Sequence, residues 1–143
     1  MRYLLIILFF VSGCISQADI DYQLSRCPQF VQDNVGTIEY RPVSIPSLLL
    51  MNGATHKPTG KILLFALADE HTILHEIGHS VYFKTPHARF DADFRARRGF
   101  ISVWAIGHYE AIAEAFVEGM KGRSNPKIDC AMRFFNGEYY ENR

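Results

Sequence analysis

The spacing of hydrophobic positions in this chain changes near residue 70. Before it, apolar residues come in short runs, at Gly36 to Tyr40, Ser47 to Met51 and Lys61 to Leu67, with turn-forming residues dense from Asn52 to Gly60. Runs of this length between turn signals predict strands, and their arrangement predicts a small, strongly bent sheet. After it, Ile73, Leu74, Ile77 and Val81 recur at helical spacing, so a helix is expected from about Glu70 to Phe83. Asp69 is its expected cap, and Thr85-Pro86 ends it. A second helix is expected from Ala88 to Arg98, stopped by Gly99. The third runs from His108 to Met120, with Ala111, Ile112, Ala115, Phe116 and Met120 on its apolar side. A last helix, Lys127 to Phe135, follows a loop of Gly122, Ser124, Asn125 and Pro126. Residues 15–34 read as a polar, irregular lead-in around Cys27-Pro28. The expected class is α+β: a small bent sheet with an active-site helix and a second glutamate-bearing helix, forming a single domain over residues 35–143.

The start of the chain has a different pattern. Tyr3 to Val11 is an unbroken apolar run behind Met1-Arg2, too short to span a bilayer, and reads as an export signal over residues 1–13. Val11-Ser12-Gly13-Cys14 resembles the bacterial lipobox, in which cleavage precedes a cysteine that then receives diacylglycerol. Lipidation at Cys14 would hold residues 14–34 and the domain behind them on a membrane of the cell envelope, facing the periplasm or exterior. A plain secretory signal cut nearer Ala18 is the alternative. Either way Cys27 and Cys130 remain, and an even pair in an exported protein predicts a disulfide. Closing a loop of about 100 residues would add up to roughly 4–5 kcal/mol. Two separate buried thiols are the other reading.

The 143 residues include 15 Lys and Arg against 15 Asp and Glu, a balance that argues against a nucleic-acid partner. The short run Arg95, Arg97, Arg98 reads as a solvated helix face. With 48% hydrophobic residues, a packed core is expected rather than disorder.

His75-Glu76-Ile77-Gly78-His79 carries the chemistry. Residues four apart on a helix point about 40° apart around its axis, so both imidazoles face one small volume. That spacing suits two nitrogens on one zinc ion. Glu76 stands beside the first histidine, where its carboxylate can reach water without ligating the metal. Gly78 has no side chain, so the helix can pack closely on that side. A catalytic zinc usually takes three protein ligands, and the third is sought on a downstream helix. Glu110 is the economical choice. Glu114, one turn on, would accept a hydrogen bond from a liganding histidine and fix its tautomer. Glu118, a further turn on, reads as a surface carboxylate, and His71, a turn before His75, as a cleft-rim residue.

Leu74-His75-Glu76-Ile77-Gly78-His79 together with Glu110-Ala111-Ile112-Ala113-Glu114-Ala115-Phe116 resembles the zincin metallopeptidases of the glutamate-ligand branch. The nearest likeness is to the group of the anthrax lethal factor catalytic domain and the Pro-Pro endopeptidases, over roughly residues 45–120. The resemblance implies zinc, hydrolysis of a peptide or protein substrate, and a mixed sheet whose edge strand lines the cleft, with Lys61 to Leu67 in the sheet beside it. It departs at one point. That group places an oxyanion-steadying tyrosine two helical turns before the third ligand, and Val103 stands there instead; Tyr109 or His108 could substitute. In the expected reaction Glu76 takes a proton from zinc-activated water and passes it to the leaving amine. The rival readings are a non-catalytic envelope lipoprotein that binds zinc, and an interaction module with no metal.

Overall fold

The computed structural model describes residues 15–41, 52–65 and 67–140. The elements, in chain order, are α1 (Gln17–Arg26), α2 (Gln29–Asn34), β1 (Ile38–Arg41), β2 (Gly53–His56), β3 (Lys61–Phe65), α3 (Glu70–Lys84), α4 (Ala88–Ala96), α5 (His108–Met120) and α6 (Pro126–Phe135). Helices and a small mixed sheet make the fold α+β, as the hydrophobic pattern predicts. No helix among the described residues is long and apolar enough to cross a membrane. The export signal and Cys14 lie outside the described residues, as does the apolar run Ser47 to Met51.

The lead-in is the first correction. Residues 17–34 form two helices and not an irregular tail, and Ile20, Cys27 and Val31 are buried in the common core. Ser16 starts α1 with a reciprocal cap: its side chain accepts from Asp19 N while the Asp19 carboxylate accepts from Ser16 N at 2.7 Å. Residues 17–34 are therefore part of the folded domain, and the expected boundary before residue 35 is not one.

In the sheet β3 is central, parallel to β1 with Ile38 opposite Ile62, and antiparallel to β2 with Gly53 opposite Leu64. Ile62 and Leu64 alternate onto the buried face, as a one-sided sheet requires. The turn-rich stretch from Asn52 to Gly60 is itself half strand: Gly53–His56 pairs with β3, and only residues 57–60 form the turn. The expected strand to Leu67 stops at Phe65, and the expected helix to Arg98 stops at Ala96. β2 is thus the strand beside the cleft, on an edge of the described sheet, while Lys61–Phe65 lies behind it.

α3 starts where Asp69 Oδ1 accepts from Thr72 N at 2.8 Å, and buries Ile73, Leu74, Ile77 and Val81. α6 is capped by Asn125, with Pro126 in its first turn, and buries Ile128, Ala131, Phe134 and Phe135. Phe134 stacks on Phe90 at 4.3 Å between centroids and lies 5.1 Å from Phe135 and 6.2 Å from Tyr82. This aromatic cluster ties α6 and α4 to the back of α3. Phe134→Ala should therefore destabilise the protein by about 3–5 kcal/mol in urea unfolding, because its fully enclosed site cannot collapse; a loss under about 1 kcal/mol would show the cluster to be loosely packed.

The disulfide is the second correction. Cys27 and Cys130 are separate buried thiols. Cys27 Sγ donates to Gln23 O at 3.3 Å, at the end of α1, and Cys130 Sγ lies 3.4 Å from Tyr139 Oη, so each sulfur has its own partner. Burial pushes the Cys27 thiol up to about 12, and the thiolate is the reactive form. Alkylation without reductant should modify both cysteines in denaturant, with Cys27 protected in the native protein. Mass spectrometry showing neither cysteine modified in denaturant would restore the bridge.

Candidate metal centre

α3 and α5 cross where both have small residues. A Cβ built on Gly78 would lie 3.2 Å from Ala113 Cα and 3.3 Å from the Phe116 ring, so the helices meet closely because position 78 has no side chain. That approach brings the histidine face of α3 against the glutamates of α5.

Glu110 bridges the two motif histidines. Its Oε2 lies 3.0 Å from His75 Nε2 and its Oε1 3.3 Å from His79 Nε2, across 35 and 31 residues of chain respectively. One ligand atom from each of the three falls within 4.8 Å of the others, an arrangement that could hold a metal ion. The hydrogen-bond inventory of His75 tests that fit. Its Nδ1 lies 2.8 Å from Glu114 Oε1, so the ring faces a carboxylate on both sides. A neutral imidazole donates from one nitrogen only. With Nδ1–H given to Glu114, the Nε2 of a neutral, metal-ligating ring turns its lone pair to the Glu110 carboxylate, so a cation, either a proton or a metal ion, belongs between them. His79 points the same way. Burial, and then the neighbouring His75, hold it down to about 4, so near neutrality its ring is uncharged and able to ligate. His79 Nδ1 is buried and has no hydrogen-bond partner among the described residues, which leaves Nε2 as the atom facing Glu110. The donor set of two imidazoles and a carboxylate fits a transition-metal ion.

Glu76 stands outside this group of ligand atoms but lines the same cleft. It is buried, and Thr55 Oγ1 donates to its Oε2 at 2.5 Å. Burial raises its carboxyl above the ordinary range, with the Thr55 hydrogen bond opposing. β2 presses close here: a Cβ on Gly53 would lie 2.9 Å from Glu76 Cγ. Gly53 and Asn52 border a cavity of about 610 Å³ that Glu76 also lines, while Thr55 and Lys57 border another of about 230 Å³ that Glu76 lines as well. Thr55 and Lys57 have no part in the sequence expectations, because the stretch reads as a turn.

Glu114 is the most connected carboxylate of the site. Oε1 accepts from His75 Nδ1 and His71 Nε2, both at 2.8 Å, and Oε2 accepts from Ser102 Oγ at 2.6 Å. Burial works to raise its pKa, but the hydrogen bonds from Ser102 and His71 hold it below the usual carboxylate value. His71 is therefore tied into the site beyond its expected place on the rim. His71, His75 and Glu114 form a second close group, sharing His75 with the first. Glu118, expected on the surface, is instead buried, with Arg123 at 2.7 Å and Lys121 at 3.5 Å.

The two candidate oxyanion groups separate. His108 is turned to α4, with Nε2 3.0 Å from Asp91 Oδ1, and borders neither cavity. Asp91 also accepts from Tyr82 Oη at 2.9 Å, so this network braces the first turn of α5 from behind. Tyr109 borders the smaller cavity with His79 and Glu110, and Lys57 Nζ lies 4.8 Å from its ring centroid. Val103 precedes α5 altogether, in an exposed loop. No protein-family model, curated protein or solved structure matches this chain.

Proposed function

We propose that the chain is a zinc-dependent endopeptidase of the cell envelope, with zinc on His75, His79 and Glu110 and Glu76 as general base. The observation that carries this reading is the position of Glu110, whose two carboxylate oxygens reach the Nε2 atoms of both motif histidines from another helix. Zinc held by such a set acidifies water and polarises a carbonyl. The resemblance in sequence to the glutamate-branch zincins agrees with this donor set and supplies the choice of zinc.

The chain's own residues divide the remaining work. Glu76, raised by burial, accepts a proton from water as oxygen adds to the peptide carbonyl, and releases it to the amine as the C–N bond breaks. Thr55 aims the Glu76 carboxylate. Glu114 fixes His75 with Nδ1 protonated. Tyr109 and Lys57 are the groups placed to steady developing negative charge, since both border the cavity that holds His79 and Glu110. β2 lies on an edge of the described sheet, along which an extended peptide can pair.

Metal analysis of the purified protein, paired with cleavage of a peptide library before and after chelation, tests the reading. About one zinc per chain is expected, with cleavage lost to chelator and restored by zinc. Zinc without cleavage would favour the non-catalytic metal-binding lipoprotein, and absence of metal would leave an interaction module.

A further inference from the structure

The loop between α4 and α5 carries a set of apolar side chains that the metal centre does not use. Phe100, Val103, Trp104 and Ile106 are exposed by 72%, 70%, 69% and 76%. The loop is nonetheless firmly built. Ile101 is buried, Asn125 Nδ2 donates to Phe100 O at 2.6 Å, and Ser102 Oγ donates to Glu114 at 2.6 Å. Its outward face is therefore a defined apolar patch, of the kind that marks an interaction surface. Of the four, Trp104 alone borders the larger cavity, so contacts in the cleft leave the other three without a partner. Just ahead of the loop, Arg95, Arg97 and Arg98 are exposed. Arg97 is bonded to Asp93, and Arg95 and Arg98 are exposed shortly before Phe100 in the chain.

We infer that this loop docks the protein on an anionic lipid surface, independently of the chemistry proposed for the cleft. Aromatic and branched side chains enter the boundary between headgroups and acyl chains, and adjacent guanidinium groups meet lipid phosphates. Charge favours an anionic lipid over a second copy of the chain, because a second copy has no net negative charge and brings the same exposed arginines. The positive charge is local, since the chain as a whole is neutral. Cys14 also precedes Ser16, the cap of α1, by only two residues, so an anchor there would keep the domain at the bilayer surface.

Trp104 is the protein's single tryptophan, so its fluorescence in the full chain reports on this loop and not on the apolar start of the sequence. On vesicles of phosphatidylcholine with phosphatidylglycerol, its emission should move to the blue and be quenched by acyl-brominated lipid. F100S/I106S should abolish that shift, and R95Q/R98Q should weaken the anionic-vesicle response by about 30-fold. Vesicle association with Trp104 emission unmoved would overturn the inference, by showing that the N-terminal segment alone binds. A shift that rises with protein concentration in the absence of lipid would also overturn it, in favour of self-association. An equal response to pure phosphatidylcholine would remove the anionic requirement and overturn the inference in that form.

Discussion

Glu76→Gln is expected to lower peptide hydrolysis by at least about 10²–10⁴-fold while leaving the bound metal in place. The reasons are local. Gln has nearly the volume of Glu, and its Oε1 can still accept from Thr55 Oγ1, so the packing against Gly53 is kept. The amide has no basic oxygen to take a proton from water, and the loss falls on the chemical step. The carboxylate of Glu76 is not among the three converging ligand atoms, which are those of His75, His79 and Glu110. Zinc content measured beside kcat separates the possible errors. Full activity in the variant would remove Glu76 as the base, and loss of zinc would make it a ligand.

The parts of the fold that the sequence announced are those in which one apolar stripe meets one core. Ile73, Leu74, Ile77 and Val81 predict α3 because all four are buried on a single face, and α5 runs over the expected residues for the same reason. α1 and α2 escape notice because polar residues dominate them, yet Ile20, Leu24, Cys27 and Val31 recur at alternating spacings of four and three. That stripe was available to be read across Cys27-Pro28, and Pro28 masked it by breaking the helix in two. β2 was hidden differently. Of Gly53, Ala54, Thr55 and His56 only Thr55 favours a strand, and what holds the four in one is pairing with β3, a long-range contact that no local window contains.

In the site, periodicity places His75, His79 and Glu76 in one cleft, and the helix spacing of Glu110 and Glu114 brings both carboxylates to them. The inward turn of Glu118 was not legible, because it depends on Arg123 folding back from the loop after α5. Nor was the fate of His108, which depends on Asp91 lying on α4 opposite the first turn of α5. Both outcomes rest on which charged group the tertiary fold sets opposite, a matter that spacing along one helix does not determine.

Glu110 and Glu114 lie one turn apart on α5, and their alanine variants should fail in opposite ways. The Glu110 side chain is nearly half exposed, so Glu110→Ala removes little packing and should leave the stability of the metal-free protein within about 1 kcal/mol. It removes one of the three ligand groups that converge there among the described residues, so zinc affinity should fall by more than the roughly 10–100-fold typical of losing a partner behind a ligand. Glu114 is almost fully enclosed and accepts from His71, His75 and Ser102. Glu114→Ala strands those donors and opens a cavity, and should destabilise the metal-free protein by about 3–5 kcal/mol. His75 would then lose the acceptor that keeps its proton on Nδ1, and zinc binding should weaken by about 10–100-fold. Urea unfolding of both metal-free variants, with zinc titration against a competing chelator, gives the four values. Should Glu114→Ala cost more zinc affinity than Glu110→Ala, the roles of ligand and supporting carboxylate would have to be exchanged, and the second close group of His71, His75 and Glu114 would become the metal site.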